Sequence, residues 1–301
     1  MNKLLFIYIV FCYILASIFT LNNTISLENQ LIGCVSLIIL FGIPHGAIDN
    51  VLSLSESNLT KKKFYFLYIL SMIIYAILWI IMPIFSFVFF LFLSSYHFGE
   101  SQLSHYNIKN IFSKVIYLLW GIALMSTLFF YNSNELMTLF NNFDDTSSFN
   151  LVFNYYLLDI LFYFSNISLI LILIFLKVRN FINSQIFNSE LFQIALLHIT
   201  FFIFPVIISF TLYFVFLHSI KVLVQEYSYL EQKLNAFNLI KFVQLLIPFT
   251  ILSLVFFSLF ILISNYYNLN ISLLLFSIIG ISVITLPHSI SMTNFYNKLN
   301  K

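Results

Sequence analysis

At 301 residues the chain is 61% hydrophobic and 8% charged, with a formal net charge of +2. A soluble globular domain carries about a quarter charged residues, and no soluble fold of this length buries so much apolar surface. The apolar runs are long and unbroken, unlike the roughly ten-residue alternating segments of an outer-membrane barrel. So small a net charge also argues against nucleic acid as a partner.

A span needs roughly 17–25 apolar residues. Such segments run over 4–21, 31–53, 64–82, 84–101, 114–131, 152–176, 190–207, 210–227, 241–263 and 271–293. The expected fold is all-α: a polytopic transmembrane bundle of about ten helices (8–10), forming a single domain over 1–301. The third and fourth segments meet at Pro83 and the seventh and eighth between Pro205 and Ser209, so each pair could be one long kinked helix. The first segment follows a lone Lys3 and could be a signal peptide; without a convincing small-x-small cleavage site it reads as a helix. Cys12 and Cys34 lie in apolar runs and read as membrane-buried thiols, with no zinc or disulfide framework.

Basic residues mark the cytoplasmic side of a membrane protein. Threaded with its N-terminus inside, the chain places all 13 Lys and Arg in the cytoplasm, from Lys3 through Lys61–Lys63, Lys109, Lys114, Lys177, Arg179, Lys221, Lys233 and Lys241 to Lys298 and Lys301. The 132–151 loop, with Glu135, Asp144 and Asp145, falls outside. Both termini are therefore expected in the cytoplasm and the protein in the inner (cytoplasmic) membrane. Within the loop, "ELMTLFNNF" reads either as a short amphipathic helix along the interface or as a solvated linker.

Six histidines stand out: His45, His97, His105, His198, His218 and His288. His105 falls in a cytoplasmic loop and reads as a surface residue. Ionisable groups inside spans are rare and face the bundle interior. His45, His97, His218 and His288 belong to the second, fourth, eighth and tenth segments. Each lies roughly 6–13 Å before the inner end of its helix, at 1.5 Å rise per residue. His198 enters from the inside and could reach the same layer. Four imidazoles at one depth resemble a metal site built from facing helices. The plainer alternative is that each histidine makes a helix–helix hydrogen bond.

The neighbouring residues favour the metal. In "IPHGAID", Pro44 tends to kink the helix, Gly46 permits close approach, and Asp49 lies one turn beyond His45. A carboxylate there could accept the imidazole's second N–H. "SSYHFGES" places Gly99 and Glu100 after His97, "FLHSIKV" sets Ser219 beside His218, and "TLPHSISM" sets Pro287 before His288. Asp49 and Glu100 are the candidate orienting carboxylates, although Glu100 could equally be an interfacial group meeting water.

"GIPHGAID" at 42–49, "YHFGES" at 96–101 and "YFVFLHSIK" at 213–221 resemble the signature segments of the Brp/Blh family. Those proteins are membrane-integral β-carotene 15,15′-dioxygenases of bacteria and archaea, and the resemblance runs from about residue 40 to 292. It implies a non-haem iron enzyme that uses Fe(2+) and O2 to cleave the central double bond of β-carotene into two retinal molecules. It also implies His45, His97 and His218 as ligands. Many members carry an "HS-x-R-H" pattern; here "HSIKV" puts Lys221 and Val222 where the Arg and the second His would be. Either three histidines suffice, or His288 or His198 supplies the missing ligand, or the activity is lost; His288 is favoured by helix direction and depth. Phe, Tyr and Leu faces of the fourth, eighth and tenth segments would line a tunnel for the polyene, and the retinal could pass to a rhodopsin-type protein. Two rival readings are a transporter, with Asp159 continuing a proton or ion path, and a non-catalytic carotenoid- or retinal-binding membrane protein.

Overall fold

A computed structural model of the chain describes residues 3–21, 25–54, 60–106, 112–267 and 271–299. Among them helices and turns account for every regular element, with no strand. Among the described residues eight helices are long and apolar enough to cross a membrane, and α1 (Lys3–Leu21) is a shorter apolar helix. Both uncertain junctions are breaks. Helix α4 (Lys61–Ile81) ends at Met82 (φ −139°), and Pro83 opens α5 (Pro83–Leu103) at a position where its missing N–H has no helical partner to lose. Likewise α9 (Ser184–Ile203) stops before Pro205, and α10 (Val206–Leu212) restarts behind it.

The chain divides into two compact units, 1–57 with 203–270 and 58–202 with 271–301. In the first, α2 (Leu27–Leu37) runs through irregular turns into α3 (Asp49–Leu54), and α10 runs through a π-turn into α11 (Ile220–Lys233). The π-turns of the two helices pack together, and α1 packs on the second through Tyr8 and Phe11 against Phe216. The last helix of this unit, α12 (Leu239–Tyr267), exposes Ile251, Leu252, Phe256 and Leu262. A surface so apolar suits lipid rather than water.

The second unit is built on the pair α5 and α6 (Ser113–Tyr131), which cross at two glycines. A Cβ on Gly99 would come within 2.6 Å of the Tyr117 carbonyl carbon, and one on Gly121 within 2.6 Å of Ser95 Cα. Ser95–Gly99 and Tyr117–Gly121 are each one turn apart, so each glycine receives the backbone of the other helix. Small residues at such spacing let membrane helices pack backbone to backbone. Helix α8 (Tyr155–Val178) joins through Ser126–Ser165 (2.9 Å) and Asn166–Thr127 (3.0 Å). Helix α13 (Leu273–Leu299) is tied to α4 by the Trp79 indole N–H donating to Ser282 Oγ (2.8 Å).

The acidic loop folds back on this unit. Part of "ELMTLFNNF" is a helix, α7 (Ser133–Asn141), whose buried Leu136, Leu139 and Phe140 face the protein's own aromatic cluster of Phe87, Phe149 and Phe153. Asp145 accepts the Ser272 backbone N–H (2.7 Å) just before α13 begins.

Candidate metal centre

In the first unit, α2 widens into a π-turn at Ile38–Gly42 and then tightens into a 3-10 turn at Ile43–Gly46. Pro44 opens that turn, and its carbonyl accepts the Ala47 N–H (2.9 Å). His45, 7% exposed, directs Nδ1 at the carbonyl of Gly42. A carbonyl only accepts, so Nδ1 carries the proton and Nε2 keeps the lone pair that a metal needs. The Gly42 carbonyl, one turn before the ring, thus accepts the one N–H that a metal-bearing imidazole keeps, the place expected for the Asp49 carboxylate one turn after it.

His218 lies inside a second π-turn, Tyr213–Ser219, and is 1% exposed. Its ring stands edge-on to His45, with centroids 5.2 Å apart and an interplanar angle of 87°. Phe214 stacks on His218 (5.6 Å, 25°) and meets His45 edge-on (5.7 Å, 74°). Gly42 makes room for it, because a Cβ there would come 2.5 Å from Phe214 Cε1. π-Turns of this kind are frequent at functional sites.

The second unit holds a matching pair. His97 on α5 and His288 on α13 are 2% and 4% exposed, with ring centroids 5.0 Å apart at 76°. A ring nitrogen of one lies within 4.8 Å of a ring nitrogen of the other, close enough for both to bind one ion. Pro287 removes one helical hydrogen bond just before His288. Glu100 braces the pair: its carboxylate accepts from Thr293 on α13 (2.6 Å) and from Tyr96 on its own helix (3.1 Å). It is 3% exposed and therefore a buried cross-helix strut, not an interfacial group meeting water.

The remaining candidates stand elsewhere. His198 has both nitrogens engaged by protein: Nδ1 accepts from Tyr131 Oη (3.1 Å), and Nε2 donates to Asn166 Oδ1 (3.2 Å). It behaves as a helix-linking side chain. His105 is exposed, its ring tilted against that of Tyr106 (3.9 Å, 47°). Asp159 lies on an exposed face of α8, where it continues no buried polar path. Val222 is a fully buried apolar residue.

Sequence reasoning missed three residues. Phe214 looked like one phenylalanine among 39. Glu190, 1% exposed, collects donors from Gln102 (2.8 Å), Tyr106 (2.7 Å) and Trp120 (3.3 Å), joining α9 to α5 and α6. Glu226, 0% exposed, sat where its segment was expected to end in water. A charged residue next to an expected helix end was the available signal for both glutamates.

A family model described as beta-carotene 15,15′-dioxygenase matches residues 36–296. No curated protein and no solved structure matches the chain. With most of its length matched, the chain belongs to the β-carotene 15,15′-dioxygenase family.

Proposed function

From that membership we propose that the chain is a membrane-integral iron dioxygenase that cleaves the central 15,15′ double bond of β-carotene with O2, giving two all-trans-retinal. The observation that carries the proposal is the family match, whose span includes His45, His97, His218 and His288. His45 and His218 of the first unit and His97 and His288 of the second are the residues that would hold Fe(2+). The donor set fits such an ion: the histidines are buried, they stand in close pairs within each unit, and His45 keeps its proton on the nitrogen facing Gly42. Imidazole also suits zinc and copper, so the choice of iron rests on the family. Val222 occupies the place of a family histidine, and His288 takes over its role.

When bound, iron supplies the dioxygen chemistry, which belongs to the cofactor. The chain's own residues position and exclude. Gly42 holds the His45 ring with Nε2 presented, and Glu100 holds the helices of His97 and His288 at constant separation. Phe214 and Tyr213 lie beside His218 and offer apolar ring faces against which a polyene can rest. Holding the reacting bond in one place is itself a large catalytic contribution. The substrate is insoluble in water, so an inner-membrane location with both termini in the cytoplasm gives direct access from lipid. The retinal formed could pass to a rhodopsin-type protein.

The test is retinal formation in a β-carotene-producing bacterial host, read by chromatography beside a His45→Ala chain at matched expression. Retinal should appear only with the intact chain, as carotene falls. Unchanged carotene with a folded, well-expressed protein would overturn the assignment.

A further inference from the structure

An acidic residue buried inside an apolar helix needs a reason. Glu190 sits on α9 in the second unit, 1% exposed. One of its oxygens accepts from Gln102 Nε2 (2.8 Å) and Tyr106 Oη (2.7 Å), and the other from Trp120 Nε1 (3.3 Å). A pair of amides reinforces the link: Gln102 Nε2 also donates to Gln193 Oε1 (3.0 Å), and Gln193 Nε2 donates back to Gln102 Oε1 (3.3 Å). These partners flank the crossing of α5 and α6. Gln102 follows His97 and Gly99 on α5, and Trp120 immediately precedes Gly121 on α6. One carboxylate therefore grips both helices beside the place where their backbones meet.

At about 100° per residue, Gln102 projects about 140° around α5 from His97, and Gly99 about 160° from it, so both lie behind the histidine. The glycine contact fixes how near α5 comes to α6. It does little to stop α5 turning about its own axis, because the touching surfaces carry no side chain at the glycines. A turn of about 10° would carry a ring nitrogen about 5–6 Å from the axis through about 1 Å, whereas a working ligand set is held to within about 0.5 Å. Glu100 ties α5 to α13 on the histidine's own side; Glu190 ties it from behind.

We propose that Glu190 is a positioning residue: through Gln102 it fixes the rotation of α5, and with it the aim of His97 at a metal shared with His288. The inference rests on the metal reading above and goes beyond it by giving a role to a carboxylate outside the ligand set.

The test is Co2+ binding to the full-length chain in detergent, with visible absorption reporting the geometry around the ion and thermal unfolding reporting stability. Glu190→Ala should weaken Co2+ about tenfold, the low end of what losing an outer orienting group costs, and should shift the Co2+ bands. Gln102→Leu should do the same, and it carries the test if Glu190→Ala does not fold. The double variant should bind no more weakly than the weaker single one, because both changes cut one connection. Glu190→Gln keeps an acceptor oxygen for Gln102 and should bind Co2+ more tightly than Glu190→Ala. Asn166→Ala breaks bonds between α6 and α8 in the same unit; it should unfold at a lower temperature with the parent's affinity and bands. If Glu190→Ala only unfolds earlier, with affinity and bands unchanged, it is a strut and the proposal falls. It falls too if Asn166→Ala shifts the bands equally, since general loosening then explains the effect. His97→Ala separates the two readings. Parent-like Co2+ binding in that variant would sink the ligand assignment and the positioning role together. Loss of Co2+ there, beside undiminished binding in Glu190→Ala, would sink the positioning role alone.

Discussion

Replacing Gly99 by alanine should force α5 and α6 apart. The added Cβ would sit 2.6 Å from the Tyr117 carbonyl carbon and 3.0 Å from Tyr117 Cα, whereas ordinary contacts begin near 3.4 Å. The obstacle is backbone, so no rotamer change relieves it. Relief requires a helix displacement on the order of 1 Å along the whole crossing, and overpacking of this kind costs roughly 1–3 kcal/mol or more. Alanine is favoured over glycine in a helix by about 1 kcal/mol, which offsets only part of that. Gly121→Ala meets the Ser95 backbone in the same way.

The structure supplies its own controls. A Cβ on Gly33 or Gly280 meets nothing within 4 Å. Those two alanine variants should gain the helix propensity without the clash. Thermal unfolding of the detergent-purified proteins, followed by far-UV circular dichroism, compares all four. Gly99→Ala and Gly121→Ala should unfold below the parent by up to about 4 °C, at about 2 °C for each kcal/mol lost; the two controls should unfold at or above it. His97 lies between Ser95 and Gly99, so Gly99→Ala should also lower iron content. If Gly99→Ala unfolds with Gly280→Ala at or above the parent, the close helix crossing is wrong.

Four further outcomes follow from the site. Glu100→Ala removes the acceptor of Thr293 and Tyr96; it should lower metal affinity about 10–100-fold, the usual effect of losing an orienting group, as read by iron retention against a chelator. His198→Ala should keep its iron and lose about 1–3 kcal/mol of stability, the cost of leaving buried Asn166 and Tyr131 groups unpaired; loss of iron in that variant would return it to the ligand set. Gly42→Ala presses on Phe214, whose ring lies against both His45 and His218; retinal formation should fall more than melting temperature. Adding Val222→His to His288→Ala should restore iron that His288→Ala alone has lost, and a double variant as empty as the single one would show that His288 does not replace the family's histidine.

How far the sequence could be read depended on whether a feature was local. Spans follow from runs of apolar residues, and the breaks at Pro83 and Pro205 follow from proline chemistry, so these were legible. The depth of each histidine follows from its distance to a helix end. Its direction does not, which is why His198 stayed an alternative to the favoured His288 until its two nitrogens were found occupied by Tyr131 and Asn166. The reciprocal crossing of Gly99 and Gly121 joins two segments whose meeting leaves no periodic signal. The loop around Asp145 could be read either as holding an interfacial helix or as a solvated linker, because its aromatic residues, Phe140, Phe149 and Phe153, are spaced irregularly.

The two π-turns show why the glycines, proline and histidine of "GIPHGAID" belong together. A π-turn inserts one extra residue into a helix, rotating everything after it and leaving a local weakness in the hydrogen-bond ladder. A helix bearing such a turn alone would relax to regular α-helix. Here the turns at Ile38–Gly42 and Tyr213–Ser219 pack on each other, and Phe214 from one fills the space that the missing side chain of Gly42 leaves in the other. The first turn is followed by Pro44, which cannot donate the bond a regular helix would need. The second holds His218 against the ring that the first turn aims. Each distortion thus keeps its place by contact with the other, and both serve to present two imidazoles edge to face. That mutual dependence is why Gly42→Ala should damage activity before it damages the fold: the alanine displaces a ring that shapes the site, while the helices on either side keep their own hydrogen bonds.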